Sequence, residues 1–293
     1  MSQNLTIVVT GSNRGIGQGI IQLLAKTQHQ QPLIIYATSR AGTDLQIKTS
    51  HSNEIRYSKL DVDDKSSIFS FLQNIVNDNT PINVLINNAG INNNGRETPD
   101  LASQVIDVNY RGTRDMCQMF LDDGKMSRNP GSRIVNVSST ACQLSNYASS
   151  VQESFRSVKS VADVDALAKK YESDVHKGGD AQASGGWGAG SRSYQVSKAL
   201  VNALTVVLAQ KNDDVLINCC CPGWVDTDMG HQVGRPPKTL EEGARIPVRL
   251  AIGDLGPKGD RDGALGKNTE RVSGGYFGND GVSDRGWGKM RGW

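Results

Sequence analysis

No run of eighteen apolar residues occurs in the chain, which excludes a transmembrane helix. Histidine is scarce, with four scattered residues and no Cys/His ligand spacing, which argues against a structural zinc site. The five cysteines, three of them consecutive at Cys219, Cys220 and Cys221, make no disulfide framework. They read as free thiols in a reducing, cytoplasmic setting. A basic excess is missing too. Lys and Arg total 32 against 30 Asp and Glu, a net charge of +2 without the clustering that a nucleic-acid-binding domain shows. Met1 to Asn4 run straight into an apolar segment, without the basic region, apolar stretch and cleavage site of a signal peptide. What is present suffices for a core: 37% of the 293 residues are hydrophobic and 21% charged, too apolar for a disordered chain. An α/β fold of this length often forms one unit.

Short apolar runs alternate with helical periodicity. Residues 5–10, 32–38, 54–60, 82–86, 133–137, 215–221 and 274–277 read as strands, the first almost continuously apolar and so buried on both faces. Residues 15–28, 63–77, 99–121, 191–210 and 239–252 read as helices, with Ile68, Phe69, Leu72, Ile75 and Val76 on one face of the second. The alternation predicts a parallel sheet with helices on both faces and ligands at the C-terminal strand edge. No second domain and no internal repeat is visible, so residues 1–293 form one domain. Residues 140–190 are an insertion. Its middle, 151–176, has helical spacing, and its end, 178–190, is rich in Gly, Ala and Ser and reads as a flexible loop. The last forty residues are Gly-rich and read as surface loops.

A glycine turn follows the first strand. Gly11, Gly15 and Gly17, with Asn13, Arg14 and Ile16 between them, stand where a helix N-terminus would meet a dinucleotide pyrophosphate. At the tip of the second strand an acid would select NAD through the ribose 2′-hydroxyl. The sequence has Arg40 instead, with Arg14 as a second cation, which favours the 2′-phosphate of NADP(H). Asp61 would accept from the adenine amino group with Val62 against the ring, or serve as a helix-cap acid. Asn88, Ala89 and Gly90 end the fourth strand and bring small residues near the cofactor ribose.

Tyr194 and Lys198 lie four residues apart on one helix face. An ammonium beside a phenol lowers its pKa from about 10 and makes it a general acid. Ser139 ends the fifth strand, and Asn109 is a polar residue amid Val105, Ile106, Val108 and Tyr110. Pro222 and Gly223 turn the chain over the nicotinamide, followed by Val225 and by Thr227, whose hydroxyl would bond the carboxamide. Thr140, Cys142, Trp187, Trp224 and Met229, with Ser139, are candidates to line a substrate pocket; for Trp224 and Met229 packing is the alternative.

These matches, in this order, resemble the short-chain dehydrogenase/reductase family: Thr10-Gly11-x-x-x-Gly15-x-Gly17, Asn87-Asn88-Ala89-Gly90, Asn109, Ser139, Tyr194-x-x-x-Lys198 and Pro222-Gly223. The resemblance implies a single Rossmann-type, doubly wound domain with a parallel seven-stranded sheet and a catalytic tetrad of Asn109, Ser139, Tyr194 and Lys198. Ser139 and Tyr194 stand 55 positions apart, an insertion similar to that of the monomeric carbonyl reductases. In that subgroup the insertion covers the helical face used for tetramers elsewhere, which implies a monomer. The expected function is NADPH-dependent reduction of a ketone or aldehyde. The alternatives are a dedicated alcohol dehydrogenase or ketoreductase of a biosynthetic pathway, and a non-catalytic NADP(H) sensor.

Overall fold

The computed structural model describes residues 4–77, 81–93, 95, 97–253 and 272–293. Its elements in chain order are β1 (Leu5–Val9), α1 (Gly15–Lys26), β2 (Leu33–Ser39), β3 (Glu54–Lys59), α2 (Lys65–Asn77), β4 (Val84–Asn87), α3 (Pro99–Ile106), α4 (Gly112–Asp122) and β5 (Ser132–Val137). The insertion follows with α5 (Ser149–Arg156), α6 (Val161–His176) and α7 (Gly179–Ser184). Then come α8 (Ser193–Lys211), β6 (Val215–Cys220), α9 (Asp228–His231), α10 (Leu240–Ile252), β7 (Tyr276–Gly278) and β8 (Lys289–Arg291).

The strands form one sheet of order β3-β2-β1-β4-β5-β6-β7-β8. All pairs through β7 are parallel, and β8 joins β7 antiparallel. The seven expected parallel strands are present, with an eighth beyond them. Every residue of β2 is buried and β1 is buried from Thr6 to Val9, as continuous apolar runs between two helical layers require. Two cores flank the sheet. One joins Val8, Leu85 and Ile134 to α2, α4, α6 and α8; the other joins Ile7, Val9 and Ile86 to α1 and α10. Strand order reverses on either side of β1, so a crevice opens above Thr10 and Gly11, the place where such sheets bind ligands.

Three expectations need correcting. Residues 99–121 are not one uniform helix, because a π turn, Asp107–Arg111, separates α3 from α4. Residues 178–190 are not a loose loop. They contain α7, and buried Gln182 donates from Nε2 to the carbonyls of Gly188 (2.7 Å) and Gly190 (2.8 Å). Within the Gly-rich last forty residues, 272–293 hold the β7–β8 hairpin, whereas 254–271 lie outside the described residues.

Candidate functional site

The glycine turn is built for close approach. Gly11 (φ +63°) and Gly15 (φ +55°) occupy the left-handed region, which costs glycine least. A Cβ on Gly17 would fall on the Gly11 carbonyl oxygen and 2.6 Å from Asn88 Nδ2. Asn88 Nδ2 donates to the carbonyls of Thr10 (3.0 Å) and Gly11 (3.1 Å). Thr10 Oγ1 in turn accepts from the backbone of Asn88 and Ala89, both at 3.0 Å. The ends of β1 and β4 are thereby locked together. Helix α1 begins with no side-chain cap and no acid in its first turn among the described residues. Its N–H groups and positive dipole end are left for an anion, which fits a pyrophosphate.

The two arginines differ. Arg14 pairs with Asp228 at 3.1 Å, both side chains being well exposed, and so ties the glycine turn to α9. Arg40 is exposed and makes no ion pair among the described residues. Beside it, Ser39 Oγ accepts from the N–H groups of Gly42 (3.0 Å) and Thr43 (3.3 Å), which shapes the tip of β2. Asp61 is half-buried; its Oδ1 takes the Asp63 N–H at 3.2 Å, and its own N–H goes to Ser67 Oγ at 2.9 Å. Asp61 therefore serves as a local turn-former with its second oxygen left over. Val62, half-buried, packs against Gly112 through its carbonyl.

The four predicted catalytic residues meet at the C-terminal edge of β4 and β5. Lys198 Nζ donates to the Val137 carbonyl at 2.9 Å and stands 5.7 Å from the centre of the Tyr194 ring. Burial pulls the Lys198 ammonium down to about 8. Burial pushes the Tyr194 phenol up to about 12, partly offset by the hydrogen bond with the Ser139 hydroxyl. Here the expectation drawn from the Tyr–Lys spacing is reversed: desolvation, not the ammonium, dominates the phenol in this chain. Tyr194 therefore carries its proton at neutral pH.

Asn109 sits in the π turn, almost fully buried. Such turns place a side chain where a regular helix would not. Its Oδ1 accepts from Ile91 N (2.8 Å), and Nδ2 donates to Ile91 O and to Ser197 Oγ, both at 2.9 Å. Ser197 then donates to the Tyr194 carbonyl at 2.7 Å. A Cβ on Gly90 would lie 3.1 Å from Asn109 Oδ1 and 3.6 Å from Lys198 Nζ, so the three share one small space. Both amide N–H groups of Asn109 are committed. The residue ties the segment after β4 to α8, and only oxygen remains to hold a water. Ser197 belongs to no motif of its own, and its place directly before Lys198 is what marks it in the sequence.

The segment after β6 closes over the glycine turn. Gly223 has φ +90°, and buried Lys238 donates to the Pro222 carbonyl at 2.7 Å. Val225 bridges to Lys238. Thr227 approaches Gly15, its Cγ2 3.2 Å from where a Cβ would stand. Its hydroxyl, however, accepts from Gly230 N (2.9 Å) and donates to Val225 O (3.3 Å). That hydroxyl caps α9 and keeps one lone pair with which it could still accept from a ligand N–H.

The predicted substrate residues separate. Thr140 is exposed, and Trp224 and Met229 are half-buried, with Trp224 Nε1 donating to Gly230 O at 2.9 Å. Cys142 is fully buried with Cys219, Cys221 and Tyr276, and accepts from Asn202 Nδ2 at 3.1 Å. Trp187 is fully buried as well. Its indole donates to Asp174 at 3.0 Å and meets Tyr171, Tyr147 and Phe155 edge-on, at 5.3, 6.2 and 6.3 Å between ring centres. Cys142 and Trp187 are thus core residues, not pocket walls. A cleft of about 420 Å³ does open between Thr140, Cys221 and Gly223 on one side and Tyr276, Val282 and Met290 of the hairpin segment on the other, and none of the four predicted catalytic residues lines it. The sequence marks the first arm of the hairpin, within 274–277, but not β8, which has only three residues, all exposed.

The family model for short chain dehydrogenases matches residues 5–153, half of the chain. Over 84% of its length the chain is 35% identical to carbonyl reductase (NADPH) 3 of Mus musculus, covering 90% of that protein. It is 32% identical to (+)-neomenthol dehydrogenase of Arabidopsis thaliana, again covering 84% of this chain and 90% of that one. The structure superposes on salutaridine reductase from Papaver somniferum with a TM-score of 0.76, 24% identity, and coverage of 93% and 99%. On the NADPH-bound carbonyl reductase from chicken fatty liver the TM-score is 0.63, with 23% identity and coverage of 99% and 95%. The chain belongs to the short-chain dehydrogenase/reductase family and is an oxidoreductase. Within that family it is carbonyl reductase-like.

Proposed function

We propose that the protein reduces a ketone or aldehyde to an alcohol with NADPH. The observation that carries this reading is the convergence of Tyr194, Ser139 and Lys198 at the strand edge beside an uncapped helix N-terminus. The residues fit the cofactor: Gly11, Gly15 and Gly17 for the pyrophosphate, exposed Arg40 for the 2′-phosphate, Gly90 and Lys198 for the nicotinamide ribose. Bound NADPH supplies the hydride. Tyr194 gives its proton to the oxygen of the carbonyl as negative charge grows there. Ser139 hydrogen-bonds the same oxygen and holds it within reach of Tyr194. Lys198, held by Val137, keeps a positive charge under the reacting groups. Asn109 and Ser197 fix the first turn of α8.

The test is oxidation of NADPH and NADH with a panel of ketones, diketones, aldehydes and quinones. NADPH is expected to be preferred over NADH, and Arg40→Ala should weaken that preference roughly tenfold, about one charge-assisted pair. An NADH preference, or Arg40→Ala indifferent between the two, rejects this cofactor assignment. Similarity to (+)-neomenthol dehydrogenase favours a second reading, a reductase or alcohol dehydrogenase with one narrow substrate. Turnover of one compound alone would select it. Binding of NADPH with no turnover of any compound would point to a sensor.

The pH dependence has a definite sign. Lys198, pulled down to about 8, is charged below that pH and neutral above it. The free enzyme's kcat/KM for NADPH should therefore be level near neutrality and fall as pH rises through about 8. A profile level to pH 10 or beyond, roughly the ordinary lysine range, would contradict it.

Among the described residues no helix is long and apolar enough to cross a membrane. All five cysteines are free and buried, which supports a reducing, cytoplasmic location. Helix α6 packs on α3 and α8, which supports a monomer by covering the face on which relatives assemble. Sedimentation at the tetramer mass would refute that assignment.

A further inference from the structure

Helix α8 carries Tyr194 as its second residue, yet its own N-terminus lacks a cap. Arg192 makes no side-chain cap bond, and no acid stands in the first turn. The missing acceptor comes from elsewhere in the chain. Glu97, half-buried between β4 and α3, places Oε2 against Ser191 Oγ (2.9 Å), Arg192 N (3.1 Å), Ser193 Oγ (3.2 Å) and Ser193 N (3.4 Å). Its Oε1 accepts from the Tyr171 hydroxyl in α6. A carboxylate at a helix N-terminus is favoured twice, by orphan N–H groups and by the dipole. Burial and the neighbouring Glu97 push the Tyr171 phenol far up, so it stays a donor.

We propose that Glu97 is a positioning residue for Tyr194: it caps the catalytic helix from outside and fastens it to both the segment after β4 and the insertion. Asn109 and Ser197 hold the Tyr194 carbonyl from one side of the helix, and Glu97 holds the two N–H groups just before Tyr194 from the other. Tyr194 is thereby fixed in two directions. The same carboxylate explains why the insertion sits where it does. Tyr171 is an edge-on neighbour of Trp187, so the aromatic core of the insertion is joined through one hydroxyl to the start of the catalytic helix.

The proposal rests on Tyr194 as the proton donor of the reductase reading, and its experiment separates the two. Glu97→Ala should lower kcat roughly 10- to 100-fold, the cost of displacing a reacting group by about an ångström. The substrate KM and the NADPH Kd should stay within about threefold, because both Glu97 oxygens are engaged by Tyr171 and the start of α8. Glu97→Gln keeps an acceptor oxygen and should restore kcat to within about threefold of wild type. Hydrogen exchange at the Arg192 and Ser193 amides, read without any substrate, should quicken at least threefold in Glu97→Ala. Wild-type kcat and wild-type exchange in Glu97→Ala would overturn the proposal. So would parallel losses in kcat, NADPH binding and melting temperature that Glu97→Gln does not repair. If Glu97→Ala does not fold, Glu97→Met, which keeps the side-chain length and removes the acceptor, decides: faster exchange confined to the first turn of α8 upholds the cap, and unchanged exchange overturns it. If the wild-type protein turns over no carbonyl, the reductase reading fails while the exchange result still judges Glu97.

Discussion

Tyr194→Phe is expected to lower kcat for carbonyl reduction by roughly 10³-fold, the middle of the range for a lost general acid. The substitution removes one oxygen and keeps the ring. Lys198 keeps its place 5.7 Å from the ring centre and its bond to Val137, so the cofactor side of the site is left alone. NADPH affinity should therefore change by no more than about twofold, the signature of a group used only in the transition state. Steady-state NADPH oxidation and a fluorescence titration of NADPH measure the two quantities. A variant that retains a tenth or more of its activity would remove Tyr194 from the proton-donor role. A variant that loses NADPH binding along with turnover would show instead that the hydroxyl holds the site together.

The second large effect is expected at Gly17. The added methyl of Gly17→Ala collides with the Gly11 carbonyl and with Asn88 Nδ2, neither of which can retreat. The Gly11 carbonyl and Asn88 Nδ2 bond each other at 3.1 Å, and Asn88 is anchored through Thr10 as well. Overpacking of this kind costs about 1–3 kcal/mol. The strain falls on the turn that would meet the pyrophosphate, so NADPH should bind at least about tenfold more weakly, with a lower melting temperature. Gly179→Ala is the control, since nothing lies within 4 Å of its added carbon. It should shift stability by less than about 0.5 kcal/mol. Equal behaviour of the two variants would mean that the glycine turn yields more readily than its contacts suggest.

The strands and most helices were legible because burial on both faces leaves long apolar runs, as in β2, where all seven residues are buried. The glycine turn and the Tyr194–Lys198 pair were legible because each depends on close spacing along the chain. What stayed hidden depends on partners far away in sequence. A one-residue slip into a π turn at Asp107–Arg111 leaves the apolar rhythm of Val105, Ile106 and Tyr110 intact. Trp187 in a Gly-rich stretch looks like a free aromatic until Tyr147, Phe155 and Tyr171 enclose it. The Tyr194 phenol was placed too low because spacing reveals the neighbouring ammonium but not the desolvation around it. Glu97 carried no motif, since an acid that caps a helix from outside has no fixed offset from it.

The hairpin and the insertion meet on the far side of the cleft. Trp293 lies edge-on to Phe155 of α5, with 6.4 Å between ring centres, and Gln143 donates to the Gly292 carbonyl at 3.5 Å. Two segments separated by the whole catalytic helix and the sixth strand thus share one packing seam. Transplanting the insertion from a relative without the matching hairpin would break this seam and leave Trp293 without its ring partner. Exchanging either segment alone therefore costs the other its packing, and the two are best replaced together.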